Sequence, residues 1–255
     1  MKNGNNYALM IRQFKDVVSK KLKPFDWTLL DDIASLCTNF GNSNPEWTYH
    51  LEELKFPRAS IKEYGLDHTR PTSVRSFSIT LSVKAEGDCN SESETGDPMK
   101  HLVVDVAAFG YKVAVATTPS EIRATALLVA DMDCAWHLDS HPPKGSTGRF
   151  DSDFAHPRYH WQYGGDKIWS NTTDWFGQHL LLESPRLIHP PMDIVLAIDF
   201  VLANFYSLIW SEVRSEPAYQ RVIASARELY WKPYFQKISQ INWSKQASNQ
   251  LDYLY

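Results

Sequence analysis

Residues 76–83, SFSITLSV, alternate without exception between small polar and apolar side chains. Successive side chains on a strand point to opposite faces, so Phe77, Ile79, Leu81 and Val83 share one face. The pattern predicts a strand with one face buried and the other in water. It is the clearest strand in the chain, and the remaining elements are assigned around it.

Helical periodicity flanks this strand region on both sides. Apolar residues recur at helical spacing in residues 7–22, and Asp26 is placed to cap a second helix that ends at Gly41. After the strand region, a long helix, apolar on nearly all faces, is predicted over residues 192–215. A further helix starts at Pro217, with a kink or break expected at Pro233.

Four more strands are predicted, at residues 101–109, 111–117, 133–141 and 156–163. The order helices, strands, helices indicates an α+β fold with a mainly antiparallel sheet of about four to six strands, N-terminal helices and a C-terminal helical pair. We expect a single domain over residues 1–255. Its helical N-terminal part covers residues 1–45, its sheet residues 74–165 and its C-terminal helices residues 191–240.

Charge and cysteine content narrow the class of protein. The net charge is −4, and a surface that coats nucleic acid needs many Lys and Arg contacts, so general DNA binding is disfavoured while a local RNA or phosphate site stays open. Three cysteines without a CxxC or zinc pattern predict reduced thiols in a cytoplasmic protein. The N-terminus lacks the apolar run of a signal peptide.

The apolar segment at residues 194–210 is the best candidate for a membrane span. It is short for that purpose and contains Asp199 and Asn204, so a buried core helix is favoured and no membrane association is expected. Asp199 has two interpretations, a solvent-facing stripe shared with Asn204, which is slightly favoured, or a buried carboxylate paired with Arg186, His189 or another histidine. Asp193 is assigned as the N-cap of this helix.

Two short segments with histidines four residues apart carry most of the chemistry. HLDSH starts at His137 and HPRYH starts at His156. If both are strands of one hairpin, side chains of one parity share a face. On the first strand that face holds Asp131, Asp133, His137, Asp139 and His141, and on the second it holds His156, Arg158, His160 and Gln162.

Three roles are open for this histidine hairpin. No cofactor is expected, but His137, Asp139, His141, His156 and His160 could ligate a divalent transition metal. Without a metal, His137 and His160 could act as acid and base while Arg158 holds an anionic substrate. The third role is structural, with these groups bonding one another and nearby backbone. A helical zinc motif is disfavoured, because HLDSH lacks the required Glu and lies in a predicted strand.

Two functional classes follow. The first, narrowly favoured, is a non-catalytic binding or assembly subunit of an intracellular complex with a protein partner, because aromatic residues are abundant and no phosphate loop or serine-hydrolase elbow is present. An aromatic cluster at residues 230–235 is one possible contact surface. The second is a hydrolase or nuclease built on the histidine hairpin. HPRYHWQYGG and PRLIHPPMDIVLAIDFVLANF resemble segments of uncharacterised bacterial proteins, and no named family or activity follows from them.

Overall fold

The computed structural model contains one β-sheet, with helices before and after its strands in the chain. The structure describes residues 4–22, 26–39, 46–66, 74–88, 99–112, 128–140, 158–164 and 187–240. Within these residues seven strands form one antiparallel sheet, more than the four to six expected. They are β1 Glu46–Lys55, β2 Ala59–Ser60, β3 Val74–Asp88, β4 Met99–Lys112, β5 Leu128–Ser140, β6 Tyr159–Tyr163 and β7 Leu187–Ile188.

The sheet runs in the order β1-β3-β4-β5-β6-β7, and β2 pairs with β3 beyond the end of β1. The alternation of residues 76–83 is confirmed, because Phe77, Ile79, Leu81 and Val83 are buried while the Ser and Thr residues between them are half-buried. Consecutive strands from β3 to β7 are neighbours, which brings the histidine-bearing strands side by side.

Helices lie at both ends of the described chain, so the predicted α+β fold is confirmed. They are α1 Gly4–Val18, α2 Thr28–Thr38, α3 Ile194–Phe205, α4 Ser207–Val213 and α5 Pro217–Ser239. Apolar side chains from the helices and the sheet form one large buried cluster. Asp193 accepts a hydrogen bond from the backbone N–H of Leu196 at 2.9 Å and caps α3 as predicted.

Several predicted boundaries differ from the structure. Residues 192–215 form two helices, because Tyr206 leaves helical geometry and its buried ring packs against Phe56 while its hydroxyl donates to the carbonyl of Pro57 at 2.8 Å. β4 continues through Gly110 with a register shift, where two strands were expected. α5 runs through Pro233 to its end at Ser239, so a break at this proline, one of the two predicted alternatives, does not occur. None of the described helices has the length and apolar content of a membrane span.

The two edges of the sheet differ in chemistry. β1 is a ten-residue edge strand with a register shift between Leu51 and Leu54, where Glu53 takes a positive φ of 39°. Bulges and charged side chains keep an edge strand from pairing with other chains. β7 has only two residues, Leu187 and Ile188, and both side chains are exposed.

Candidate functional site

The predicted pairing of the two histidine-bearing strands is confirmed. β5 and β6 run antiparallel, with Asp139 opposite His160 and His137 opposite Gln162. On the other side of β5, β4 places Asp105 opposite His137. Three adjacent strands thus bring carboxylates and imidazoles to the same face of the sheet.

The backbone register explains how close these side chains come. Gly164 N–H donates to the carbonyl of Ala135 at 2.7 Å, so every second residue of β5 from Ala135, including His137 and Asp139, directs its backbone groups toward β6. Asp105 and His137 therefore form a non-hydrogen-bonded pair between β4 and β5. Side chains stand closest together in pairs of this type.

Four side chains form a continuous chain of polar contacts that we call the Asp–His row. His137 Nδ1 lies 2.6 Å from Asp105 Oδ1, and His137 Nε2 lies 3.2 Å from Asp139 Oδ2. The second oxygen of Asp139, Oδ1, lies 2.9 Å from His160 Nε2. Asp139 thus uses a different carboxylate oxygen for each imidazole, and negative and imidazole groups alternate along the row.

Burial and charge act in opposite directions on His137. Burial alone favours its neutral form, but hydrogen bonds to Asp105 and Asp139 outweigh that cost and raise its pKa to about 10. His137 is therefore an imidazolium at neutral pH. The exposed side-chain fractions are 22% for Asp105 and His137, 19% for Asp139 and 2% for His160, so solvent reaches the first three.

Arg158, the predicted anion clamp, lies just before β6 and is buried. Its guanidinium Nη2 donates to the carbonyl of Met99 at 3.2 Å, and its Cζ lies 5.4 Å from the centre of the Tyr159 ring. This donor is occupied by the protein's own backbone. The Tyr159 hydroxyl donates to the same carbonyl at 3.3 Å, so both residues tie β6 to the start of β4.

The structure does not test all of the predicted metal ligands. His141 and His156 lie outside the described residues. Among the residues that are described, no group of three or more His, Cys, Asp or Glu side chains is arranged to hold a metal ion. The row members that are described contact one another, and their roles as metal ligands or catalysts stay predictions.

Sequence reasoning missed Asp105. It lies in the apolar strand segment HLVVDVAAF and is the one charged residue there after His101. A lone carboxylate in an otherwise apolar strand needs a polar partner, and this was the available signal. The identity of that partner depends on which residue of β5 lies opposite, which sequence alone does not define.

A second polar cluster surrounds Asp199 and corrects the favoured interpretation of that residue. Its Oδ1 accepts hydrogen bonds from Trp210 Nε1 at 2.8 Å and from the Tyr219 hydroxyl at 2.7 Å, and Arg227 Nη2 lies 3.8 Å from its other oxygen. Asp199 is thus a bonded carboxylate that connects α3 to α4 and α5. The exposed Asn204 instead donates to the carbonyl of its own helix at Phe200.

The aromatic cluster of α5 is mostly committed to the core. Tyr230 and Tyr234 are buried, and Trp231 Nε1 donates to the carbonyl of Pro191 at 2.9 Å. Only Phe235 is exposed among the four. Comparison of the chain with protein-family models, curated proteins and solved structures gave no match.

Proposed function

We propose that this protein is a non-catalytic binding or assembly subunit whose partner docks at the β6–β7 edge of the sheet. The observation that carries the proposal is an exposed apolar group on these two strands, which we call the edge patch: Tyr163, Leu187 and Ile188. Their exposed fractions are 45%, 60% and 44%. Leu187 lies opposite Trp161 and shares a face of the sheet with Tyr163, whereas Ile188 lies opposite His160 on the other face. Exposed apolar side chains therefore border both faces of this edge, and such residues are typical of interaction sites.

The backbone of β7 favours an extended partner segment. His189 N–H donates to the carbonyl of Tyr159 at 3.2 Å, so alternate residues of this stretch direct their backbone groups toward β6. The N–H and C=O of Ile188, one residue earlier, then face away from β6. A partner strand that pairs there would gain main-chain hydrogen bonds and cover Leu187.

The contrast between the two sheet edges supports the same choice. β1 has a bulge and exposed charged side chains, including Glu46, Glu52 and Lys55. β7 has neither a charge nor a bulge. Edges without these features add strands from other chains most readily.

The Asp–His row gives this binding surface a rigid support. His160 lies opposite Ile188 on β7 and opposite Asp139 on β5. Contacts among Asp105, His137, Asp139 and His160 connect β4, β5 and β6 on one face, so the strand that carries β7 is held in register. In the proposed assembly role, the Asp–His row therefore stabilises the strands that carry the binding edge and does not take part in catalysis.

Photo-cross-linking tests the proposal. Leu187 is replaced by p-benzoylphenylalanine in the full chain, with the same replacement at the exposed Leu208 of α4 as the matched control. We expect a specific cross-linked partner from position 187 alone. That partner is then purified, and Leu187→Asp is expected to weaken its binding at least tenfold, about 1.4 kcal/mol, while Leu208→Asp leaves the Kd within twofold.

Two results would overturn the edge assignment. One is equal cross-linking from both positions, and the other is equal loss of affinity in both Asp variants. N-methylation of alternate backbone nitrogens in the bound partner segment provides a further check, because it removes main-chain donors without changing side chains. Pairing to β7 would be contradicted if binding were unchanged both when the odd-numbered and when the even-numbered nitrogens of the segment are methylated.

A second candidate function is a hydrolase or nuclease that uses the Asp–His row. The specific observation in its favour is that Asp139 contacts both imidazoles, and a carboxylate that orients a histidine is a common arrangement in acid–base catalysis. His160 would be the base and Asp139 its orienting residue. The high pKa of His137 argues against that residue as a base at neutral pH.

Hydrolysis of bis(p-nitrophenyl) phosphate and of single-stranded RNA, with and without Mn²⁺ or Zn²⁺, tests this candidate. Turnover that disappears in both Asp139→Asn and His160→Ala would establish it over the assembly role. Elemental analysis of the purified parent, His137→Ala and His160→Ala tests the metal branch, because a resident metal held by the row must be lost in both variants. No turnover and no metal would eliminate this candidate.

A further inference from the structure

A groove of about 750 Å³ runs between α1 and α5. Its floor includes the buried side chains of Tyr7, Met10 and Val222, and its walls include Leu9 and Leu229. Leu9 is 52% exposed and lies beside the buried Met10. The groove shares no residue with the edge patch and lies on different elements of the fold.

Antiparallel packing of α1 and α5 forms the groove. The rings of Tyr7 and Tyr230 are 6.4 Å apart, and those of Phe14 and Tyr219 are 5.4 Å apart, so residue numbers rise on α1 as they fall on α5. Between these two aromatic contacts α5 presents the small residues Ala224 and Ser225, both exposed. Small side chains here leave space beside Met10 that larger ones would fill.

The two ends of the groove differ in charge. Arg221 lines the end near Gln13, and among the described residues no carboxylate lies within ion-pair distance of its guanidinium. Glu228, near Asn6 at the other end, already pairs with Lys232 one helical turn along α5. Within the part of the chain that the structure describes, Arg221 thus brings a positive charge without an ion-pair partner to one end of the groove.

Length and openness favour a helix as the occupant. Residues 6–13 and 221–229 each rise about 10–12 Å along their helix axes, which is two helical turns. Helices that dock in grooves use apolar residues at spacings of three, four and seven over this length. Small-molecule sites instead enclose most of their ligand, whereas Leu9, Arg221, Ser225 and Glu228 are all exposed here.

We propose that the α1–α5 groove binds an amphipathic helix of a partner protein, with two apolar turns on the floor and a carboxylate opposite Arg221. This site extends the proposed binding role to a second surface. It stands independently of the edge patch, because its residues and its test are separate. A protein with two such surfaces would connect two partner segments in one assembly.

A display library of 16-residue Ala-rich helices, with six positions of one face randomised, tests the groove on the full chain. We expect enrichment of peptides with apolar residues at helical spacing and an Asp or Glu at one fixed position. The best peptide should bind Leu9→Asp at least tenfold more weakly. Leu36→Asp is the matched control, because Leu36 is an equally exposed leucine, at 51%, on α2. The Kd of the peptide for this variant should differ from that of the parent by less than twofold.

Arg221→Glu supplies the charge test. Repeating the selection on this variant should replace the enriched Asp or Glu by Lys or Arg at the same peptide position. The proposal is overturned if no peptide is enriched, if Leu9→Asp binds like the parent, or if the selected charge does not reverse. A tenfold affinity gain in the full chain carrying Leu251→Asp and Leu254→Asp would also overturn it, because the chain's own C-terminal segment would then be the occupant.

Discussion

The hydroxyl of Tyr7 donates a 2.7 Å hydrogen bond to the carboxylate of Asp193, a residue 186 positions later in the chain. Asp193 is fully buried, and its other oxygen caps α3. The Tyr7 hydroxyl also lies 3.3 Å from that of Tyr49, which accepts from the backbone N–H of Ile194 at 3.2 Å. α1, β1 and the start of α3 are therefore connected through one buried cluster made by the two tyrosine hydroxyls, the Asp193 carboxylate and the Ile194 N–H.

Tyr7→Phe removes the only side-chain hydroxyl that donates directly to Asp193 among the described residues. A buried carboxylate that loses a donor costs about 1–3 kcal/mol, so we expect the free energy of unfolding in urea to fall by that amount. Tyr230→Phe is the matched control, because the buried Tyr230 hydroxyl makes no direct hydrogen bond to Asp193 among the described residues. Equal destabilisation by both variants would contradict the special role of the Tyr7 contact.

Asp193 should give the protein an acid-side pH dependence. Burial is the largest influence and raises its pKa from 3.8 to about 6, despite hydrogen bonds from Leu196 and Tyr7 that act the other way. Between these values the folded state binds more protons at this residue than the unfolded chain. The contribution of Asp193 to the free energy of unfolding therefore falls by about 3 kcal/mol as pH rises from 3.8 through 6.

Asp193→Asn keeps an oxygen that can cap α3 but does not titrate. We expect the free energy of unfolding of this variant, relative to the parent, to increase between pH 4 and pH 7. Urea denaturation at several pH values measures the difference. A constant offset between the two proteins across this range would show that Asp193 keeps its usual pKa in the fold.

His137 should give a pH dependence at the opposite end of the scale. Its raised pKa means that its stabilising contribution is fully present below about pH 6.5 and is lost as pH rises through about 10. Asp105→Asn removes the carboxylate 2.6 Å from Nδ1, and should lower the pKa of His137 by more than one unit. NMR titration of the imidazole measures it, with the exposed Asp32→Asn as the control, and an unchanged pKa would refute the contact.

The Asp199 cluster should contribute measurably to the docking of α4 and α5. Trp210→Phe and Tyr219→Phe each remove one hydrogen bond to Asp199 Oδ1, and each should cost about 0.5–1.5 kcal/mol. Asp199→Ala leaves two part-buried donors without their acceptor and should cost more than either. A double-mutant cycle by thermal denaturation tests the shared acceptor, because exact additivity of the two Phe variants would argue against it.

Local rules were enough to predict much of the fold. The two-residue alternation of residues 76–83 defines which side chains of β3 are buried, and Asp193 caps α3 three residues before the N–H that it binds. The same alternation placed His137 and Asp139 on one face of β5. Each of these features involves residues only a few positions apart in the chain. The local backbone geometry of a strand or a helix end is enough to determine their relative positions.

The failed boundaries show where local rules stop. Tyr206 has no feature that ends a helix by itself, and the break depends on its packing with Phe56 and its bond to Pro57, about 150 residues earlier. In this case tertiary contacts outweigh weak local preferences. β1 was not predicted, although residues 46–51 alternate between exposed polar and buried apolar side chains; the alternation fails at Glu52 and Glu53, where pairing with β3 shifts register.

By itself the sequence determined the α+β class, the buried face of β3 and the grouping of imidazole and carboxylate side chains on β5 and β6. Only the tertiary structure decided that Asp105 joins them, that Tyr7 meets Asp193, and that Arg221 lies beside a groove. The physical reason is that periodicity sets the direction of a side chain, whereas its partner depends on strand register and helix packing. Strand register and helix packing are determined by the total apolar surface that the whole core buries.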